Sequence, residues 1–311
     1  MNQVPLQTEH LTRTFGAINA VDDLSMTVPA GIVFGFLGTN GAGKSTTIRL
    51  ALGLLAPTSG QIAVFGHMLP AEGQAVREQC GVLLEHTGLY ERLSALDNLD
   101  FYGRMWNMPA AHRKARAQEL LTHLGLWERR DQAVGAWSKG MKHKLAVARA
   151  LFHHPRLLFL DEPTNGLDPQ AAAALRVDIA ALVQQEGTTV FLTTHNLAEA
   201  EKLCSLIGIV RAGRLLALGS PEELRSRAGR PEVEIIGSGW NAAALARVSA
   251  LSQVASVLQE PNRLVVVFTN NSHVETAPVV SELVAAGAQV EEVRRGNASL
   301  EDAFLSLIGG R

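Results

Sequence analysis

The sequence predicts an α/β protein of two domains, a first domain built on a parallel sheet and a smaller α+β domain after it. A short apolar run leads into a glycine-rich loop and a helix at 32–55, and a second apolar run ends in two carboxylates at 157–162. Such runs are typical of buried parallel strands. After a change of composition at "RAGRP" (227–231), the patterns follow the order β-α-β-β-α-β. The predicted domains are 1–228 and 229–311, and 311 residues suffice for two.

The composition favours a cytosolic protein that does not bind nucleic acid. The formal net charge of −2 lacks the basic excess that nucleic-acid binding usually shows. The first ten residues have no basic start followed by an apolar run, so no secretory signal is expected. The longest uncharged window, Leu24–Gly43, is broken by proline and glycine and does not resemble a membrane span. Cys80 and Cys204 could pair, but two buried thiols in a reducing compartment are the favoured interpretation.

The first motif is a phosphate-binding loop in "IVFGFLGTNGAGKSTTIRLALGLL" (Ile32–Leu55). It matches G-x-x-x-x-G-K-[ST] between an apolar strand and a helix, which is the context this motif requires. Glycines let the loop turn its N–H groups toward phosphate oxygens, and the helix N-terminus adds partial positive charge. Lys44 is expected to reach the β- and γ-phosphates, and the Ser45 hydroxyl to bind Mg²⁺. The expected nucleotide contacts are Gly38, Thr39, Asn40, Gly41, Ala42, Gly43, Lys44, Ser45 and Thr46.

The second motif is the acidic end of the strand "LLFLDE" (157–162). Ligands bind at the carboxyl ends of parallel strands, so both carboxylates are expected near the nucleotide. Asp161 is predicted to hold Mg²⁺, directly or through water, and Glu162 to be the general base for an attacking water. An isolated Asp-Glu pair would be read as a solvated strand end. The functional interpretation is favoured because the loop of Lys44 already predicts a metal-bound nucleotide.

A third motif, "WSKGMKHK" (137–144), opens a predicted helix, Lys139–Leu151. Ser138 is a favourable N-cap, and a helix N-terminus with serine, glycine and lysine is a second phosphate-binding device. One chain has no obvious use for two such devices around one nucleotide. In a dimer, the phosphate loop of one copy could face Ser138 and Gly140 of the other.

The segment "WSKGMKHKLAVARALFHHPRLLFLDEPTNGLDP" (137–169) resembles the signature, Walker B strand and D-loop of ATP-binding cassette (ABC) transporter subunits. The resemblance covers roughly Leu6–Arg225. It implies a P-loop NTPase fold, with a RecA-like core and a helical subdomain at about 86–155.

The resemblance also implies roles for four residues that would attract little attention alone. His195, at the end of "FLTTH" (191–195), corresponds to the residue that senses the γ-phosphate. Phe15 takes the place of the aromatic ring that stacks on adenine, and Glu85 that of the Q-loop glutamine near the metal. Asp168 would cross the dimer interface with Ser138 and Gly140. Taken singly, Phe15 would be a core residue, His195 a satisfied polar residue and Asp168 a turn residue before proline.

The sequence departs from the family pattern in the signature and the Q-loop. Trp137, Lys139 and Met141 replace the usual leucine, first glycine and glutamine, while Ser138 and Gly140 remain. Glu85 in place of glutamine could still take part in Mg²⁺ or water coordination, although its charge could alter metal affinity or coupling. Glu162 and His195 are both present, so the cassette is expected to be catalytically complete.

Between Glu85 and Pro155 the pattern is mostly helical, and it includes a predicted helix at 110–126. By resemblance, the segment from Glu85 to about Met108 would meet a membrane partner. Three apolar side chains in it could make this contact or pack internally; they are Tyr90, Leu93 and Phe101.

The tail predicts a small ferredoxin-like domain. Its predicted elements are strands Glu232–Ile236, Val254–Gln259, Leu264–Phe268 and Gln289–Val293, and helices Ala242–Ala250 and Val274–Ala286. A final helix, capped by Ser299, would present an apolar stripe as a docking surface within the domain or against a second copy. The stripe is Leu300, Ala303, Phe304, Leu307 and Ile308.

Together with these motifs, the resemblance implies an ATP-hydrolysing subunit of a membrane exporter similar to the ABC-2 type. Its expected catalytic residues are Glu162, His195 and Lys44. Its expected metal ligands are Ser45, Glu85 and Asp161. Two copies would close head-to-tail around two Mg-ATP and drive a separate transmembrane permease from the cytoplasmic face of the membrane. A soluble cassette ATPase acting on ribosomes or DNA is disfavoured because the chain has one unbroken cassette, no heptad run and no basic excess. A regulatory nucleotide sensor is disfavoured by Glu162 and His195.

Overall fold

The computed structural model describes residues 3–228, 232–269, 275–296 and 299–308. The chain divides into two compact units, Met1–Pro221 and Glu222–Arg311. The boundary predicted at 228/229 adjoins residues 229–231, which lie outside the described residues, and it stays a prediction. No helix in the described part of the chain is both long and apolar enough to span a bilayer.

Eleven α-helices occur in the described residues. They are α1 (Lys44–Ala51), α2 (Gly73–Gln79), α3 (Ala95–Met105), α4 (Ala110–His123), α5 (Lys139–Leu151), α6 (Pro169–Glu186), α7 (Leu197–Leu203), α8 (Pro221–Ala228), α9 (Ala242–Ser249), α10 (Thr276–Ala285) and α11 (Leu300–Ile308).

The strands form three sheets. They are β1 (Leu6–Phe15), β2 (Ile18–Val28), β3 (Val33–Gly38), β4 (Ser59–Val64), β5 (His67–Met68), β6 (Cys80–Leu83), β7 (Leu157–Asp161), β8 (Thr189–Thr194), β9 (Leu206–Arg211), β10 (Arg214–Gly219), β11 (Glu232–Ser238), β12 (Val254–Glu260), β13 (Arg263–Phe268) and β14 (Gln289–Gly296). The first unit holds a sheet of order β2-β1-β4-β5 and a six-stranded sheet of order β10-β9-β3-β8-β7-β6.

The six-stranded sheet is the predicted parallel sheet. Its strands pair in parallel from β9 to β6, and only β10 joins antiparallel to β9. All residues of β3, β7 and β8 are buried, which explains the apolar runs in β3 and β7. The ring of Phe191 lies 5.3 Å from those of Phe34 and Phe36 and 5.5 Å from that of Phe159, measured between centroids. This packing fixes β3, β7 and β8 side by side, so that their carboxyl ends share one edge.

The helix after the phosphate loop is shorter than the sequence pattern indicates. The pattern extends to Leu55, but α1 ends at Ala51. Gly53 has φ 65°, and the N–H groups of Gly53 and Leu54 donate to the carbonyls of Leu50 and Arg49. This left-handed glycine with its paired backbone bonds is a Schellman cap, so the helix ends before the apolar pattern does.

The region predicted as helical holds α3, α4 and α5. The helix expected at 110–126 is α4, which ends at His123 because Gly125 turns the chain with φ 69°. Arg116 is 3% exposed in this helix and bonds Glu186 of α6 and the Leu151 carbonyl, so the charges around 113–116 are not all on a solvated face.

The second unit has the predicted order β-α-β-β-α-β. Its sheet is fully antiparallel with the strand order β12-β13-β11-β14, as in ferredoxin-like folds. Helices α9 and α10 supply Val248, Val279 and Leu283 to the core on one sheet face. Residue 274, with which the second helix was predicted to begin, lies outside the described residues.

The final helix, α11, follows Ser299, whose hydroxyl accepts from the Asp302 N–H as predicted for a cap. Leu300 and Ala303 are buried, and Phe304 and Leu307 are half-buried, so the stripe is largely covered within the chain. The side chain of Ile308 lies outside the described residues.

Candidate functional site

The phosphate loop connects β3 to α1 at the carboxyl edge of the parallel sheet. Gly43 is the N-cap of α1 and has φ 98°. A Cβ atom at this position would lie 2.1 Å from the Ala20 carbonyl oxygen, so only glycine fits. The Ala42 N–H donates to the Thr39 carbonyl, which closes the loop. The sequence thus folds into the tight turn that exposes backbone N–H groups at a helix N-terminus.

Lys44 is held at the centre of the site. Its side chain is 7% exposed, and Nζ donates to the carbonyls of Gly38 at 2.8 Å and Thr39 at 3.3 Å. Nζ also lies 3.1 Å from Glu162 Oε1. A buried ammonium needs such partners, because losing hydration without them is costly.

The two carboxylates end β7, and β8 orients them. Thr193 Oγ1 donates to Asp161 Oδ1 at 2.5 Å and accepts from the Glu162 N–H at 3.1 Å. The Glu162 backbone has φ 52°, which is uncommon for a residue with a side chain. This conformation turns Glu162 out of the strand, whereas Asp161 is 5% exposed.

His195 follows β8 and contacts the same carboxylate. Its Nδ1–H donates a hydrogen bond to Glu162 Oε2. The imidazole is about half exposed and the Glu162 side chain is 16% exposed. Glu162 therefore connects Lys44 on one oxygen with His195 on the other.

Lys44, Asp161 and Glu162 border a cleft of about 510 Å³. It brings together the greater part of the predicted loop with the predicted metal ligands and the general base. Its lining residues are Ala20, Asn40, Gly41, Ala42, Gly43, Lys44, Ser45, Thr46, Glu85, Asp161, Glu162 and Asn165. Glu85 is exposed at its rim. Gly38 and Thr39 do not line it but hold Lys44 from behind.

Besides Gly38 and Thr39, five predicted residues lie outside this lining, and His195 is one of them. Phe15 ends β1 and is 45% exposed, with the guanidinium of Arg13 4.5 Å from its ring centroid. Ser138 caps α5 as predicted, since its hydroxyl accepts from the Met141 N–H at 3.3 Å. Gly140 lies in the first turn of α5. Asp168 is the N-cap of α6 and accepts from the Ala171 N–H at 2.9 Å, a local role beyond that of a turn residue.

The sequence reasoning missed three residues of the site. Ala20 and Asn165 line the cleft, and Thr193 joins Asp161 to the backbone of Glu162. Thr193 stands in the "FLTTH" segment beside His195, so its nearness was readable, but its hydrogen bonds depend on the pairing of β7 with β8.

The arrangement can bind a polyphosphate and activate water. Loop N–H groups and the Lys44 ammonium are donors for phosphate oxygens, and a carboxylate beside them can accept a proton from water. The Ser45 hydroxyl and the Asp161 carboxylate line the same cleft, and oxygen ligands of this kind suit Mg²⁺.

The chain is similar to known proteins. A family model described as ABC transporter matches residues 21–165. A bacitracin transport ATP-binding protein of Bacillus licheniformis is 36% identical over 98% of this chain and 97% of its own length. A Nod factor export ATP-binding protein of Cupriavidus metallidurans is 36% identical, again over 98% of this chain and 97% of its own. A daunorubicin resistance ATP-binding protein of Streptomyces coeruleorubidus is also 36% identical, over 99% of this chain and 97% of its own length.

Solved structures share the fold over 71% of this chain. The structure of an ATP binding subunit of an ABC transporter has a TM-score of 0.64 and 32% identity, and covers 71% of this chain and 92% of that one. A subunit of the ABC transporter complex cbiONQ from Clostridium perfringens has a TM-score of 0.67 and 26% identity. The match covers 71% of this chain and 90% of that one. The chain belongs to the ABC transporter family and is one of its ATP-binding ATPases.

Proposed function

We propose that this chain is the ATP-hydrolysing subunit of a membrane exporter and that it works as a homodimer with a separate transmembrane permease. The observation that carries the proposal is that Glu162 contacts both Lys44 and His195 beside the phosphate loop. In this arrangement Glu162 orients water for attack on the γ-phosphate. Lys44, the loop N–H groups and His195 stabilise the charge that develops there.

Mg²⁺ is the proposed metal. Asp161 uses Oδ1 to accept from Thr193, which leaves Oδ2 without a hydrogen-bond donor among the described residues. Ser45 supplies a hydroxyl in the same cleft, and Glu85 a second carboxylate. This donor set is all oxygen and keeps room for phosphate and water ligands, as Mg²⁺ requires. Held by these residues, the ion would supply positive charge that offsets the negative charge of the phosphates.

A head-to-tail dimer is supported by what lies outside the cleft. Ser138 is exposed at the N-terminus of α5, and neither it nor Gly140 lines the phosphate cleft of its own chain. A second copy could bring these two residues over the nucleotide, and Asp168, exposed at the start of α6, would lie at the same interface.

Contact with a permease is supported by an aromatic surface on the helical region. Tyr90 is 46% exposed and Phe101 39%, and their rings meet edge to face with centroids 4.9 Å apart. Met105, one turn further along α3, is 64% exposed. Leu93 is half-buried and belongs less to this surface. Exposed apolar groups in such a cluster are typical of protein contacts.

Export, rather than import, is supported by the relatives that match almost the whole chain, whose names describe transport of bacitracin and export of Nod factor. The proposed location is the cytoplasmic face of the cell membrane. Co-purification of the tagged chain from native membranes would test it. Recovery of a polytopic membrane protein supports the proposal, and recovery of ribosomes or DNA contradicts it.

The ATPase mechanism is tested by Glu162→Gln. The amide cannot accept the proton of water, so we expect steady-state hydrolysis to fall at least about a hundredfold, while ATP binding persists and dimers accumulate. Phosphate release measures hydrolysis, calorimetry measures ATP binding, and light scattering measures the mass of the dimer. Glu78→Gln, on the surface of α2, is the matched control and should behave as wild type. Normal turnover in Glu162→Gln would contradict the assigned base.

A further inference from the structure

Glu199 is a buried carboxylate that the proposed chemistry does not use. It lies in the first turn of α7 and is 2% exposed. Its Oε2 accepts from Thr164 Oγ1 at 2.8 Å and from Thr194 Oγ1 at 3.0 Å. Its Oε1 is buried with no hydrogen-bond partner in the described part of the chain. Burying a carboxylate with one oxygen unpaired is costly, so the structure tolerates this group at some expense in stability.

The capping of α7 does not explain the carboxylate. Asn196 caps the helix, and its Oδ1 accepts from the Glu199 N–H at 3.1 Å. A glutamate at this third helical position usually returns to the N–H of the capping residue. Here the Asn196 N–H donates instead to Thr194 Oγ1 at 2.9 Å, and the Glu199 side chain turns away toward Thr164. The helix is capped without it.

The partners of Glu199 surround the catalytic pair. Thr194 and Asn196 are the two chain neighbours of His195, and both are bonded to Glu199 or to its N–H. Thr164 lies two residues after Glu162, in a turn closed by the Asn165 N–H donating to the Glu162 carbonyl at 3.0 Å. Glu199 therefore joins the segment that carries His195 to the segment that carries Glu162.

We propose that Glu199 is a positioning residue for ATP hydrolysis. Its carboxylate fixes the distance between the 162–168 turn and the end of β8, and through them the hydrogen bond between His195 and Glu162. Glu199 is buried and does not line the cleft. The proposal rests on the proposed function of Glu162 and His195. A further part of the proposal is that Glu199 couples the turn leading to Asp168 rigidly to the end of β8.

The test uses the full chain with Glu199→Ala, Thr164→Val and Thr164→Ser. We expect Glu199→Ala and Thr164→Val to lower kcat about tenfold or more, with the dissociation constant for ATP changed less than about twofold. Thr164→Ser keeps the hydroxyl and should keep at least about half of the wild-type kcat. Lys202→Ala, exposed on the same helix, is the matched control and should keep wild-type kinetics.

A double-mutant cycle separates positioning from general loosening. If Glu199 acts through Thr164, the double variant loses little more kcat than Glu199→Ala alone, because the hydroxyl has no remaining partner. If Glu199→Ala does not fold, the kcat of the nearly isosteric Thr164→Val is compared with that of Thr164→Ser. A loss of kcat in Thr164→Val alone then supports the proposal. Wild-type kcat in folded Glu199→Ala or Thr164→Val, or equal kcat and affinity losses, would overturn the proposal. A wild-type chain without ATPase activity would instead overturn the proposed function.

Discussion

His195 donates a hydrogen bond from Nδ1 to Glu162 Oε2, while the other oxygen of the same carboxylate lies 3.1 Å from Lys44 Nζ. The carboxylate is thus held from both sides by two groups that arrive on different strands, β3 through the loop and β8 directly. This arrangement fixes where the proposed base can point. It also makes the roles of the neighbouring residues separable by substitution.

The first prediction concerns the imidazole. His195→Ala leaves Glu162 held only by Lys44 and removes a group beside the proposed γ-phosphate position. We expect kcat to fall about a hundredfold while ATP affinity changes only a few-fold, because the loop is intact. Phosphate-release kinetics and calorimetry measure the two quantities. His10→Ala, on the surface with a side chain 83% exposed, should behave as wild type. A large loss of affinity with unchanged kcat would refute the assigned role.

The second prediction compares two glycines of the phosphate loop. Both have positive φ, 98° for Gly43 and 82° for Gly41, but a Cβ meets the Ala20 carbonyl only at Gly43. Gly41→Ala therefore adds only backbone strain of about 1 kcal/mol, and we expect a few-fold weaker ATP binding. Gly43→Ala also displaces the loop from its neighbour, so binding should fall at least about thirtyfold. Titration calorimetry measures the ATP affinity of both variants. Equal losses of affinity in the two would contradict the steric argument.

The third prediction is a pH dependence of stability from a histidine outside the site. His153 donates from Nε2 to the Cys80 carbonyl, and Trp106 stacks on its ring with centroids 4.1 Å apart. Burial lowers the pKa of His153 from 6.5 to about 4. The folded state therefore binds fewer protons than the unfolded state between these values, so stability is full above about pH 6.5 and falls as the pH drops toward 4.

Removing the imidazole should reduce this loss. Between pH 7 and pH 4.5, we expect the free energy of unfolding to fall by about 2 kcal/mol more in the wild type than in His153→Gln. Urea unfolding at the two pH values measures the difference. His154→Gln is the matched neighbour because its side chain is 62% exposed, and it should follow the wild type. If the free energy of unfolding of His153→Gln falls between the two pH values by as much as that of the wild type, another group causes the pH dependence.

The fourth prediction concerns the thiols. Cys80 and Cys204 are both free and buried, as the sequence indicated. Burial raises the pKa of each thiol to about 12, and the charge of Glu199 adds to the effect at Cys204. Since the thiolate is the reactive form, a maleimide at pH 7.5 should label neither within an hour in the folded protein and both in guanidinium. Rapid native labelling of either thiol would mean that its segment opens readily.

Much of the site was predictable because its residues are neighbours in sequence. The loop from Gly38 to Thr46 and the pair Asp161-Glu162 follow apolar runs, and parallel strands bring such ends to one edge. Ser138 was identified as a cap from its position before a helical pattern, and its hydroxyl does accept from Met141. The ends of helices and strands were predicted less accurately. The pattern after Lys44 continued past Gly53, where a left-handed glycine ends the helix.

Contacts between distant segments could not be derived in the same way. Nothing in the composition of 189–199 indicates that Thr193 bonds Asp161 or that Glu199 bonds Thr164. Each of these bonds depends on the register of β7 against β8 and on the entry angle of α7. The bond between Arg116 and Glu186 likewise spans 70 residues and cannot be derived from the local pattern.

By itself, the sequence determined the phosphate loop, the acidic strand end, the helix caps and the order of elements in both units, because these depend on local conformation and hydrophobic period. The tertiary structure alone decided that Glu162 stands between Lys44 and His195 and that a buried carboxylate joins their segments. The physical reason is that hydrogen bonds between separate segments are selected by packing. Strand register and side-chain burial bring their partners together only after the chain has folded.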